Sequence, residues 1–352
     1  VATFIPPIFF MFLCLSLLEE SGYMARAAFV MDRTLRSIGL PGKAFIPMLV
    51  GFGCNVPGIM AARTLDNERD RTLTVLLNPF MSCGARLPVY ALFAGIFFPQ
   101  VGGAVIFALY LTGILLAVGS GLLFRRTILK GDASTFVMEL PPYHVPRAVA
   151  IVHHTWERLK EFILRAGKII LILVLVLSFL WSIGTDGSFG NQENENSVLS
   201  AASRAITPAF HPMGITDENW PATLGLVTGI FGKELVVGTL NTFYGADGAD
   251  PEAAMLSAFD GKAGAFAYLL FVLIYMPCVA AVAAIQRETG WKWMSFSVFY
   301  LTALAWGFAT LFYQAVTFAE HPASSAGWIF VLLAAGLVFT AVLKMIAHTS
   351  EE

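Results

Sequence analysis

Long apolar runs separated by short polar clusters dominate the chain. A bilayer core of about 30 Å takes about 20 apolar residues per helix, and seven runs are predicted to span it: Ala2 to Leu18, Thr72 to Phe98, Ala104 to Phe124, Ile163 to Ile183, Ala263 to Ile285, Trp293 to Tyr313 and Trp328 to Ile346. Two further apolar segments, Phe45 to Ala62 and Trp220 to Tyr244, are crowded with Gly and Pro or carry charge. They do not read as simple helices.

Short cytoplasmic loops are enriched in Lys and Arg. The stretch from Arg125 to Phe162 holds Arg125, Arg126, Lys130, Arg147, Arg158 and Lys160 and is placed inside, whereas Gly184 to Asn219 has Arg204 against five acidic residues and is placed outside. The Arg287 to Lys292 turn then falls inside, and so does the C-terminus. The acidic loop from Gly245 to Lys262 reads as external, so Trp220 to Tyr244 must enter from outside and return. Backbone of that kind is tolerated at membrane depth only where it lines a protein-buried or watery cavity. The same reasoning makes Phe45 to Ala62 re-entrant from the cytoplasmic side.

The order helix, interfacial segment, hairpin, interrupted helix, helix thus occurs twice, the second time inverted, which is a transporter architecture. The predicted fold is an all-α polytopic membrane protein, an inverted repeat with two re-entrant hairpins. Its expected parts are a first repeat over 1–124, a basic cytoplasmic loop over 125–162, a second repeat over 163–313 with an external loop over 184–219, and a C-terminal helix and tail over 314–352. Phe52-Gly53-Cys54-Asn55 parallels Phe231-Gly232-Lys233-Glu234, and Phe80-Met81-Ser82-Cys83 parallels Tyr275-Met276-Pro277-Cys278.

Composition agrees with a membrane protein. Hydrophobic residues make up 57% of the 352, charged residues 13%, and mean hydropathy is +0.71; soluble domains carry about a quarter charged residues. A formal net charge of −2 leaves no basic excess for nucleic acid. Cys14, Cys54, Cys83 and Cys278 all lie in apolar stretches, which argues against a secreted disulfide framework. Because the sequence opens at Val1 inside an apolar run, it reads as a piece of a longer chain.

The first hairpin centres on Gly51-Phe52-Gly53-Cys54-Asn55, and the next helix is interrupted by Asn78-Pro79-Phe80-Met81-Ser82-Cys83-Gly84-Ala85-Arg86. In the second half Pro277 stands between Met276 and Cys278. Proline and glycine break the helix and free backbone carbonyls, which need another partner in hydrocarbon. A buried Cys or Met is most often a packing residue, and Cys14, in an unbroken run, is read that way. Cys54, Cys83 and Cys278 coincide with breaks in matching places and are candidate ligands, together with Met81, Met276, Asn55 and Glu234. Thiolate and thioether ligands suit a late first-row cation such as Fe²⁺, Cu⁺ or Zn²⁺. Gly51, Gly53, Pro79, Arg86, Gly232, Lys233 and Pro277 are candidate structural or gating residues, Arg86 and Lys233 read as charges that pin the hairpins. His144, His153 and His154 fall in the basic loop, and loop histidines are usually just solvated. Met24, Ala27, Ala28 and Met31 form one face of an interfacial helix with Arg26 and Arg33 opposite. Glu139-Leu140-Pro141-Pro142-Tyr143 reads as a structural strap ahead of the amphipathic His153 to Phe162 stretch.

Glu20 to Asp32, Gly51 to Thr64, Asn78 to Tyr90 and Glu139 to Tyr143 together resemble the membrane region of the bacterial FeoB-type ferrous iron transporters. The resemblance implies two gate modules of the nucleoside-transporter type, one with Cys54 and Cys83 and one with Gly232, Lys233, Glu234 and Cys278. It implies uptake of Fe²⁺ as transported substrate across the bacterial inner membrane, with no permanently bound cofactor and no enzymatic activity in this segment. It also implies an upstream GTP-binding domain as partner; no phosphate-loop spacing occurs here, since Gly39-Leu-Pro-Gly42-Lys43 lacks the required length and hydroxyl. The bilayer, small cytoplasmic proteins and further copies of the chain are the other expected partners, with no nucleic acid. A nucleoside or other solute carrier on the same inverted hairpins is the competing reading.

Overall fold

The computed structural model describes residues 5–131, 143, 146–167, 172, 175–176, 179, 181–182, 197–245 and 250–349. Among the described residues there is no strand. The helices are α1 (Ile5–Glu20), α2 (Tyr23–Ile38), α3 (Phe45–Gly53), α4 (Asn55–Ala61), α5 (Glu68–Leu77), α6 (Leu87–Phe97), α7 (Gly102–Arg126), α8 (Ala148–Phe162), α9 (Val198–Ile206), α10 (Trp220–Phe231), α11 (Glu234–Tyr244), α12 (Pro251–Ala258), α13 (Gly261–Ile274), α14 (Val279–Val316) and α15 (Pro322–Thr349).

By length and composition, four stretches among the described residues can cross a membrane: Glu68–Phe97, Gly102–Arg126, Gly261–Val316 and Pro322–Met345. Gly261–Val316 covers two of the predicted spans, divided where Gly290 takes φ 83. A positive φ is strained for any residue with a Cβ, so the Arg287 to Lys292 turn has its glycine where the chain bends. Only 6% of the most apolar stretch of Pro322–Met345 is buried, so its apolar surface faces outward, as a lipid-facing helix requires. The predicted span Ile163 to Ile183 lies partly outside the described residues; its start, Ile163–Gly167, is a π-helical turn.

Both anomalous segments fold as helical hairpins. Phe45 to Ala62 becomes α3 and α4, and Trp220 to Tyr244 becomes α10 and α11, each arm far shorter than the roughly 20 residues of a crossing. The acidic segments expected as loops are partly helical: α9 is capped by Ser197, whose hydroxyl accepts the Ser200 amide at 3.1 Å, and α12 by Asp250, which accepts from Glu252 N–H. These side chains satisfy amides that a helix start leaves unpaired. Residues 184–196 and 246–249 of those segments, and the strap up to Pro142, lie outside the described residues.

The chain packs as two units. One comprises 1–83, 116–173 and 283–294. Within it α2 buries Met24, Ala28, Leu35 and Ile38, which shifts the expected face: Ala27 and Met31 are only half-buried. Asp32 accepts from Arg36 at 2.6 Å and from the Gly42 amide at 2.8 Å, fixing the turn into α3. Helix α8 lies on α1, where Arg158 donates to Glu19 at 2.6 Å and Thr155 meets Ser16 at 3.4 Å. Arg63 donates to both carboxylate oxygens of Glu288, at 2.7 and 2.8 Å.

The other unit comprises 84–115, 174–282 and 295–352. An aromatic cluster holds it together: Phe93 of α6 stacks on Tyr268 of α13 at 5.0 Å and meets Phe259 edge-on at 5.3 Å. The hairpin α10–α11 packs through Trp220 and Leu224, with Val227, Phe231, Leu235 and Phe243, against Leu199 of α9. Tyr268 and Tyr275 donate to the carbonyls of Ala222 and Leu226, one turn apart on α10. A Cβ on Gly229 would collide with the Tyr275 hydroxyl, so the small residue is what allows α13 this close.

Candidate functional site

In the first unit, α3 stops because Cys54 is extended (φ −154, ψ 130), and α4 begins at Asn55. The Asn55 amide, with its nitrogen turned to the carbonyls, donates to Gly51 O at 3.0 Å and Met81 O at 3.3 Å. It thus joins the hairpin break to the break after α5. That second break follows a tight turn over Asn78–Phe80 with Pro79 near its start; Met81 is extended, and Met81 and Ser82 are buried beside half-buried Cys83.

Asn78 locks these parts together. Its Nδ2 donates to Pro47 O at 2.8 Å, and it fills the space left by two glycines: a Cβ on Gly51 or Gly58 would lie 2.7 or 2.8 Å from its Oδ1. That Oδ1 is buried and has no hydrogen-bond partner among the described residues. The sequence places Asn78 in the break motif without giving it a role. An orphan acceptor becomes visible only when the two arms and α5 are seen to converge.

In the second unit the hairpin break takes two residues. Gly232 is extended (φ −164, ψ 130), Lys233 is already helical in backbone, and Glu234 opens α11. The sequence parallel between Asn55 and Glu234 therefore holds, since each is the first residue of the second arm. Lys233 is 3% exposed. Its ammonium donates to Met276 O at 3.0 Å and lies 3.1 Å from the centre of the Tyr275 ring. Helix α13 ends at Ile274, and Tyr275 to Cys278 is unwound around Pro277 before α14 begins. Arg86 is fully buried and within electrostatic reach of Tyr275.

All four cysteines are free; Cys54, Cys83 and Cys278 are half-buried and Cys14 is exposed. Neither unit gathers its thiols and carboxylates into a closed three-ligand cage among the described residues. A separate cavity of about 910 Å³ in the second unit is lined by His211, Asp217, Glu218, Asn219 and Asp260 among others. There His211 pairs with Asp217 at 2.8 Å and Tyr313 donates to Asp260 at 2.5 Å.

Short helical hairpins beside interrupted helices, in a chain with stretches long and apolar enough to cross a membrane, define an all-α polytopic membrane protein. Residues 1–97 and 163–292 match the Gate model, described as nucleoside recognition, and residues 106–158 match the ferrous iron transport protein B C terminus. The chain belongs to the Gate family, in the form joined to that ferrous iron transport protein B segment. It is 43% identical to the Fe(2+) transporter FeoB of Salmonella paratyphi A and 42% identical to those of Escherichia coli K12 and Shigella flexneri. Each match covers 98% of this chain and 51% of the relative, so the chain spans about half the length of the curated relatives it matches. No solved structure matches it at a significant level.

Proposed function

We propose that this chain is the membrane permease region of a bacterial ferrous iron importer, and that Fe²⁺ crosses the inner membrane along the helix breaks. The observation that carries the reading is the coincidence of half-buried thiols with freed backbone: Cys54, Cys83 and Cys278 each stand at a break. Soft sulfur ligands favour a late first-row cation over Mg²⁺ or Ca²⁺. The name of the relatives supports the same ion.

In this reading the thiols serve as successive ligands, helped by Met81, Met276, the oxygens of Asn55 and Asn78, and the carboxylate of Glu234. Gly51, Gly53, Pro79, Gly232 and Pro277 keep the breaks open. Lys233 is a tethered stand-in for the cation: its ammonium satisfies the Met276 carbonyl until Fe²⁺ arrives and takes over that oxygen. Arg86 holds the unwound stretch beside Tyr275. The acidic segments face outside, the C-terminus faces the cytoplasm, and coupling to GTP belongs to an upstream domain of the whole protein.

Uptake of radiolabelled Fe²⁺ tests this in cells that lack other ferrous importers and express the full-length protein. Excess unlabelled nucleosides should leave uptake unchanged, while excess unlabelled Fe²⁺ abolishes it. Inhibition by nucleosides would overturn the iron reading.

A further inference from the structure

Helix α8 has three distinct faces. Ile151, Thr155 and Leu159 are buried against its own unit. Val149, Val152 and Trp156 form an exposed apolar face, the pattern of a helix lying in a membrane interface. The third face holds His153, His154 and Glu157, all exposed. Their spacing puts Glu157 one turn beyond both histidines, so all three side chains share one side of the helix.

The three side chains converge. His153 Nδ1 lies 3.7 Å from a Glu157 oxygen, the two imidazoles meet edge to face at 6.1 Å, and one ligand atom from each residue lies within 4.8 Å of the others. Bonds of about 2.0–2.2 Å to one metal need only side-chain rotation from there. The neighbouring Arg158 is held by Glu19 at 2.6 Å, toward α1, and so does not compete for the carboxylate.

We propose that His153, His154 and Glu157 form a second metal site, separate from the helix breaks, for a late first-row divalent cation such as Fe²⁺ or Zn²⁺. Two imidazoles and one carboxylate select such ions over Mg²⁺ and Ca²⁺ and leave positions open for water or an exchanging ligand. On the orientation proposed above the site faces the cytoplasm, where an imported ion would meet it; binding itself does not depend on that orientation or on the transport reading.

The test is titration of the full-length protein, purified in detergent without oxygen, with Co²⁺. Nitrogen and oxygen ligands give visible ligand-field bands without the thiolate charge-transfer bands of a cysteine site, so the two kinds of site are distinguished. His153→Gln, His154→Gln and Glu157→Gln should each weaken the nitrogen–oxygen component by at least the roughly 10- to 100-fold that loss of even a second-shell partner costs. The thiolate component should stay as in the parent. Because all three side chains are exposed, the thermal transition should also be unchanged. An identical Co²⁺ titration in a variant with His153, His154 and Glu157 all replaced by Gln, or nitrogen–oxygen binding in the parent only at millimolar Co²⁺, would overturn the proposal.

Discussion

The ammonium of Lys233 sits 3.1 Å from the centre of the Tyr275 ring and donates to the carbonyl of the next residue, Met276, at 3.0 Å. The Tyr275 hydroxyl donates in turn to Leu226 O at 3.3 Å, which fixes the ring under the charge. A desolvated cation over an aromatic face gains about 2 kcal/mol or more. The break therefore already holds one cation, made of the protein itself.

Lys233→Met should lower the thermal stability of the purified protein, because it leaves the part-buried Met276 carbonyl without its donor. A lost partner of this kind costs about 1–3 kcal/mol. Thermal unfolding in detergent measures it, and an unchanged transition would mean the carbonyl finds another donor at once.

Gly58→Ala should open the first hairpin, since the added methyl would meet Asn78 Oδ1 at 2.8 Å and the Pro47 carbonyl oxygen at 2.9 Å. Overpacking of this sort costs about 1–3 kcal/mol. Gly95→Ala is the control: nothing lies within 4 Å of its Cβ position, and alanine in a helix interior gains about 0.5–1 kcal/mol over glycine. The two variants should move the unfolding temperature in opposite directions.

Glu234→Gln is nearly isosteric and removes only charge from the start of α11. If the carboxylate meets the ion, Fe²⁺ uptake should fall about tenfold, a loss of about 1.4 kcal/mol, at normal expression. Wild-type uptake would move Glu234 out of the path.

Glu252 is exposed on α12. In a background without other cysteines, Glu252→Cys should react with a membrane-impermeant maleimide added to intact spheroplasts. Labelling only in inverted vesicles would mean that Trp220 to Tyr244 crosses the membrane, and the inverted-repeat reading would collapse.

Much of this architecture is legible in the amino-acid sequence, because the signals are local. Gly and Pro crowd Phe45 to Ala62 and Trp220 to Tyr244, and these segments form the two hairpins; Pro277 marks the unwound stretch before α14. What escapes the sequence is tertiary. Which carbonyl Lys233 caps and which glycines Asn78 fills depend on elements far apart along the chain. His153 and His154 read as solvated loop residues in the sequence, yet a helix over Ala148–Phe162 aligns them with Glu157 on one side. Their spacing and the amphipathic stretch from His153 to Phe162 are plain in the chain; that the packing of α8 on α1 leaves this side exposed is not. The register of the breaks also differs from the simple alignment, since the extended residue is Cys54 in one hairpin and Gly232 in the other.

The central claim is that soft ligands at the breaks carry the ion, and Fe²⁺ uptake by the full-length protein with Cys54, Cys83 and Cys278 all replaced by Ser tests it most directly. Serine keeps the volume nearly constant but exchanges a soft sulfur for a hard, protonated hydroxyl. Cys14→Ser, which removes an exposed thiol away from any break, should transport normally. Uptake by the triple variant should collapse while its membrane level and thermal transition stay close to the parent's. Wild-type uptake by that variant would contradict the thiol path and leave the carbonyls at the same breaks to carry the ion.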